Sequence, residues 1–81
     1  MEIGTYSGWS PIRDTQTLGL AIAQLRRDAD FDQAELANRI GVHRPAVSRL
    51  ENGHAVAQLE LVFTVLRELG WQLRLERLNG Q

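Results

Sequence analysis

"DQAELANRIGVHRPAVSRLENG", residues 32–53, decides the fold. Asp32 is a good helix N-cap, and Glu35 three residues on can return a bond to the cap's own N–H, the reciprocal pattern of a capping box. Phe31, just before the cap, is placed to staple against Leu36. Leu36, Ala37 and Ile40 form an apolar stripe, and Gly41 follows where a helix end or tight turn wants positive φ, so this helix spans about 33–40. Pro45 then fits only the first turn of a helix, where its missing N–H removes no intrahelical bond, and dates the start of the next helix to about Arg44. Val47 and Leu50 face inward, Arg44, Ser48 and Arg49 face outward, and Gly53 ends the helix.

Two short helices about four residues apart make a helix-turn-helix over about residues 33–52. Three spacings support it together. Ala37 puts only a methyl where the helices cross, Gly41 supplies the turn, and Val47 plugs the angle between them.

Outward from this motif, Leu18, Ile22 and Leu25 recur at helical spacing, with Ala21 and Ala29 beside them, and predict a helix from about Thr15 to Asp28, capped by Asp14 or Thr15. A helix from about Leu59 to Leu69 follows the motif, with Leu59, Val62, Val65, Leu66 and Leu69 as its core face; Leu61 and Phe63 fit that face less well, and one of them is a candidate interface residue. Residues 1–13 hold Gly4, Gly8 and Pro11 without sustained periodicity and read as an irregular arm from which Tyr6 and Trp9 can dock on the core. Residues 14–70 are then the helical domain and residues 71–81 a C-terminal strand and tail.

The strand is "WQLRLERL", residues 71–78, where apolar Trp71, Leu73 and Leu75 alternate with polar Gln72, Arg74 and Glu76. Period 2 is the pattern of a half-buried strand. Three partners are open to it: the arm, through "IGTYS"; no partner, if the segment continues the helix past Gly70; or the same strand of a second copy.

Composition bounds the function. The chain has 81 residues, net charge −1, no cysteine and two histidines, His43 and His54. One domain of this size buries only about 60 to 65% of its unfolded surface, so help from a second chain is expected. Absence of cysteine removes disulfides, thiolate metal sites and thiol nucleophiles. His43 lacks a second imidazole at helical spacing, so no metal and no cofactor are expected. A hydrolytic triad of Ser48, His43 and an Asp fails because no acid is placed to orient the histidine, so no enzyme is expected. No stretch reaches the roughly 18 to 20 apolar residues of a membrane span, and the N-terminus has no secretory pattern, which predicts a cytoplasmic protein with no membrane partner. All nine basic residues are arginine. Arg39, Arg44, Arg49 and both histidines lie within 39–54 against the single acid Glu51, while Asp28, Asp30 and Asp32 precede them, so a DNA-facing surface must be local. Arg39 and His54 read as solvent-facing.

"LRRDADFDQAELANRIGVHRPAVSRLENG", with the flanking helices over about residues 18–69, resembles the helix-turn-helix of Cro/XRE-type repressors. It departs at Asp32 and His43, where that family prefers a hydroxyl cap. The resemblance implies a mainly α, lambda-repressor-like domain of four to five helices binding double-stranded DNA. The helix from about Arg44 to Asn52 becomes the recognition helix, with His43, Arg44, Pro45, Ser48 and Arg49 reading bases. Arg44 is the foremost of these, since a guanidinium can bond guanine O6 and N7 together, worth about 1 to 3 kcal/mol of discrimination. Pro45 suits a thymine methyl. Gln33, Asn52 and Arg26 are implied at phosphates, with Arg26 also forming a salt bridge to Glu51 beneath the DNA-binding face.

A Cro/XRE motif followed by one helix and a terminal "LGWQLRLERL" is similar to HipB-type antitoxins, dimeric repressors paired with a HipA-like serine/threonine kinase toxin. That likeness implies a homodimer on a palindromic operator, joined through Trp71, Leu73 and Leu75 of the terminal strand, with the toxin as a further partner. A stand-alone XRE regulator, and a protein-interaction module with weak DNA binding, are the alternatives.

Overall fold

A computed structural model describes residues 11–54 and 57–78. The elements are β1 (Pro11–Ile12), α1 (Thr15–Asp28), α2 (Gln33–Ile40), α3 (Arg44–Glu51), α4 (Ala57–Leu69) and β2 (Leu73–Arg74). The architecture is the expected mainly α, lambda-repressor-like one, with a small strand pair joining the two ends.

Local chemistry sets the helix boundaries. Asp14 caps α1: its Oδ1 accepts from the Thr17 N–H at 2.7 Å. In return the Asp14 N–H donates to Thr17 Oγ1 at 3.2 Å. The same exchange opens α2, where Glu35 N–H donates to Asp32 Oδ1 at 2.7 Å and Asp32 N–H to Glu35 Oε1 at 2.8 Å. All four helices end alike. A residue at positive φ (Asp30, Gly41, Gly53, Gly70) lets the next N–H reach five residues back: Phe31 to Arg26, Val42 to Ala37, His54 to Arg49, Trp71 to Leu66, at 2.8–3.1 Å. These bonds satisfy carbonyls that a helix end otherwise leaves orphaned.

The core has two parts. Ile12, Ala21 and Phe63 are buried together, with Leu18, Leu59 and Leu75 packed around them. Ala37 and Val47, 2% and 3% exposed, fill the seam between α2 and α3. The chain ends meet over the first part. β1 and β2 pair antiparallel, Pro11 opposite Arg74 and Ile12 opposite Leu73, and Arg67 Nη1 donates to the Arg13 carbonyl at 2.6 Å.

Three expectations are corrected. The core face of α4 is Leu59, Phe63 and Leu66, whereas Val62, Val65 and Leu69 are exposed along with Leu61. The helix is apolar over more than half its circumference and so offers two rows, and the aromatic ring, with most surface to bury, takes the inside. Ile40 is 60% exposed, because it sits at the last residue of α2, a turn beyond the Ala37 crossing. The terminal strand is two residues long, Leu73–Arg74, opposed among the described residues by Pro11–Ile12, and it is no orphan within the chain. Gly70 ends α4, which removes the continuing-helix alternative. The "IGTYS" segment, the docking of Tyr6 and Trp9 and most of the arm lie outside the described residues.

Candidate nucleic-acid interface

The helix-turn-helix is α2 and α3 with the turn between them. Gly41 adopts φ +76° at the C-cap of α2, and the chain then runs extended through His43, at φ −83° and ψ 146°, into α3. His43 makes no side-chain cap bond. Pro45, in the first turn, has no N–H to satisfy, which lessens the need for a cap.

α3 lies across α1 at very short range. A Cβ on Gly19 would stand 2.5 Å from the carbonyl oxygens of both Leu50 and Glu51. Only glycine permits this crossing. Sequence reading passed over it, although a glycine inside a helix is unfavourable by about 1 kcal/mol against alanine and so signals a close approach. Thr15 Oγ1 adds a bond to the Gly53 carbonyl at 3.0 Å, tying the start of α1 to the end of the motif.

Beneath the outer surface of α3 sits one buried carboxylate. Glu51, 8% exposed, accepts from Arg26 Nε at 2.7 Å, from Arg26 Nη2 at 3.1 Å and from Gln33 Nε2 at 2.9 Å. Arg26 Nη1 donates to the Phe31 carbonyl at 2.8 Å. Helices α1, α2 and α3 are thus pinned at one point. The Arg26 bond, assisted by Gln33, holds the Glu51 carboxyl below its ordinary value against the opposing effect of burial, and Glu51 in turn raises Arg26. Both groups remain charged, as a paired buried ion must.

Among the residues expected to read bases, His43, Arg44, Pro45 and Arg49 are exposed and Ser48 is half-buried. They follow one another along the start and outer side of α3. Arg44 also lines a surface notch of about 390 Å³ with Arg26, Asp32, Gln33 and Ala34, at the amino end of α2. Gln33, Arg26 and Arg44 are therefore neighbours around one concavity, while Asn52 is exposed at the far end of α3. The amide of Gln33 and the guanidinium of Arg26 are both engaged by Glu51. The structural set Ala37, Gly41, Val47 and Glu51 occupies seam, turn and buried pin. Arg39 is exposed, and its guanidinium stacks 4.6 Å from the centre of the Phe31 ring. Among the described residues, no three or more His, Cys, Asp or Glu gather to hold a metal. No helix among them is long and apolar enough to cross a membrane.

This geometry presents a short helix, amino end first, with two arginines and a proline on its outer side and two helix N-termini nearby. That is a surface for a groove lined by phosphates. Comparison with curated proteins and with solved structures gives no match. A helix-turn-helix family model matches residues 22–74, about two-thirds of the chain and the whole of the motif just described. The chain belongs to the Cro/C1/XRE-type helix-turn-helix family and is a DNA-binding transcriptional regulator.

Proposed function

We propose that the protein is a sequence-specific repressor that reads a palindromic operator as a homodimer. We further propose that it is the antitoxin of a HipBA-like pair, repressing its own operon and neutralising a HipA-like serine/threonine kinase toxin. The observation that carries the DNA-reading part is the outward face of α3, with Arg44, Pro45 and Arg49 exposed above the buried Arg26–Glu51–Gln33 pin.

In this reading α3 enters the major groove by its amino end. Arg44 bonds a guanine edge, Pro45 meets a thymine methyl, and His43, Ser48 and Arg49 contact adjoining bases. Gln33 has its side-chain amide committed to Glu51, so it serves the phosphate through its backbone N–H at the positive end of α2. Asn52 contacts the backbone at the other end of the motif, and Arg26, its charge met by Glu51, serves the phosphate side by holding Glu51 and through it Gln33 in place. Residues 71–78 join two protomers so that the recognition helices fall about 34 Å apart, one turn of DNA. The antitoxin assignment is supported by the order of elements, a helix-turn-helix followed by one helix and a terminal strand.

The test is selection of binding sites from a random double-stranded pool, followed by Arg44→Ala on the selected site. A two-fold symmetric site whose affinity drops with Arg44→Ala is the expected result. An enriched pool without symmetry, or an affinity indifferent to Arg44, overturns the operator reading. The antitoxin reading fails separately, if no kinase is encoded beside it or if co-expression with such a kinase gives neither complex nor relief of toxicity.

A further inference from the structure

His43 stands at the N-cap of α3, where members of the family prefer a hydroxyl that bonds back to the helix, and its side chain makes no cap bond. The imidazole is exposed and has no hydrogen-bond or ion-pair partner among the described residues. Both ring nitrogens are therefore open at the leading end of the recognition helix, one residue before Arg44. Arg26, Asp32 and Arg44 line the notch at this end of the motif, with Glu35 in the first turn of α2 and Arg39 in its last. None of these charges is bonded to His43. Arg26 is held by Glu51, Asp32 accepts from the Glu35 N–H, Glu35 accepts from the Asp32 N–H, and Arg39 lies on the Phe31 ring. His43 can thus turn to a ligand without breaking a bond inside the chain.

Histidine differs from a hydroxyl in one respect that matters inside a groove. A neutral imidazole offers one donor and one acceptor, whereas an imidazolium offers two donors, no acceptor and a positive charge. In the major groove a guanine edge presents two acceptors, O6 and N7, between rows of negative phosphates. The charged ring suits that edge; the neutral ring meets it with one uncharged donor. Histidine is also the side chain that ordinarily gains or loses its proton between pH 5 and 8, and the chain has two histidines and no cysteine.

We propose that His43 is a proton-dependent base contact, donating as an imidazolium to O6 or N7 of a guanine adjoining the base that Arg44 reads. The inference rests on the DNA-reading part of the proposed function and deepens it. A proton from solvent adds to the lone pair of the free ring nitrogen as the complex forms, and no covalent bond between heavy atoms changes. Binding and proton uptake are then linked, so affinity grows as pH falls through the histidine range. Preference for guanine at that one position grows with it, because the same charged form carries both. A serine or threonine at this position, uncharged at every pH in the range, has neither property.

The test is binding of the full chain to the selected site and its single-base variants between about pH 7.5 and 5.5, at constant salt, on either side of the ordinary histidine value. The Glu51 pin lies outside this window, its carboxyl being held below an ordinary value of 4.5. From the upper to the lower end, affinity is expected to rise about fivefold per half-site, the gap between a neutral and a charge-assisted hydrogen bond. Discrimination at one guanine position should rise by the same factor. His43→Ser, which supplies a hydroxyl cap and so keeps the helix, should lose both gains, and His54→Asn, at an exposed position after α3, should keep them. A flat profile in the wild type overturns the proposal, as does a His43→Ser profile equal to the wild type. A gain that lifts every base variant alike, with a steeper salt slope at low pH, assigns the proton to a phosphate contact and overturns it too. Failure of the operator reading looks different: no site is enriched or Arg44→Ala changes nothing, and the proposal falls with it. A costly Arg44→Ala beside a flat pH profile overturns the His43 contact alone.

Discussion

Arg26 holds Glu51 in a two-point grip, Nε at 2.7 Å from Oε2 and Nη2 at 3.1 Å from Oε1, with side chains only 11% and 5% exposed. The pair links α1 to the end of the recognition helix, and Gln33 extends it to α2. Position and fold therefore depend on the same contact.

Glu51→Ala leaves a buried guanidinium without its carboxylate and Gln33 without its acceptor. Removing one member of a buried pair costs about 3 to 5 kcal/mol. That is comparable with the whole stability of a domain this small, so urea unfolding should show a chain largely unfolded at 25 °C. A double variant, Arg26→Met with Glu51→Leu, removes both charges and should recover most of that loss; a double variant as unstable as Glu51→Ala would show that Gln33 or the surrounding packing carries the effect.

The same carboxylate gives a pH dependence of known sign. Glu51 lies below its ordinary value of 4.5, chiefly because of the Arg26 bond. A depressed folded-state pKa stabilises the fold above the unfolded value, and that contribution is lost as pH falls through the folded value. Thermal melts should therefore be flat with respect to this group at neutral pH and decline below about 4.5, the unfolded value. In the Arg26→Met, Glu51→Leu variant the decline should be shallower, and an identical acid limb in both proteins would remove Glu51 as its source.

Gly19 and Gly41 should respond to alanine in opposite order to their intrinsic preferences. At Gly19, inside α1, alanine is favoured by about 1 kcal/mol in an isolated helix. Yet its Cβ would meet two backbone carbonyl oxygens at 2.5 Å, and because backbone cannot swing aside the overpacking cost falls at the upper end of about 1 to 3 kcal/mol, leaving about 2 kcal/mol after the helix gain. At Gly41 nothing lies within 4 Å of a Cβ, so only the left-handed backbone resists, at about 1 to 2 kcal/mol. Gly19→Ala is expected to be at least as destabilising as Gly41→Ala and to weaken DNA binding as well, because it pushes α3 off α1. A stabilised Gly19→Ala protein would mean that α1 and α3 cross less tightly than a 2.5 Å approach implies.

The helix-turn-helix was legible because its determinants are local. Asp32 with Glu35, Gly41 and Pro45 each fix the backbone within a few residues, and α2 and α3 begin and end where they dictate. Ala37 and Val47 then follow from spacing, and both are in the seam. What was not legible depends on distance along the chain. Ile12 and Leu73 pair across sixty residues, and a two-residue strand containing a proline has no periodicity to announce it. In α4 the sequence offers two apolar rows, and only the tertiary fit of Phe63 selects one. Arg26–Glu51 came from family resemblance, since nothing local joins residues on α1 and α3. Gln33–Glu51 was missed for the same reason, and with it the commitment of the Gln33 amide to the buried carboxylate.

Arg44 and Arg49 should separate by the position they read and by size of effect. Arg44 stands at the first residue of α3, beside the notch at the start of α2, where the amino end of a recognition helix meets base edges. Arg49 is exposed in the last turn, and the proposed reading gives it an adjoining base further from that amino end. Arg44→Ala should cost about 1 to 3 kcal/mol on the preferred site and flatten the preference at one position of each half-site. Arg49→Ala should cost less and flatten the preference at a different position, and either variant should reduce the salt slope by about 0.9 for each phosphate that its guanidinium also neutralises. Binding titrations at several salt concentrations, on the preferred site and on single-base variants of it, measure both quantities together. The reverse order, with the larger loss of specificity at Arg49, would place the helix in the groove by its carboxyl end.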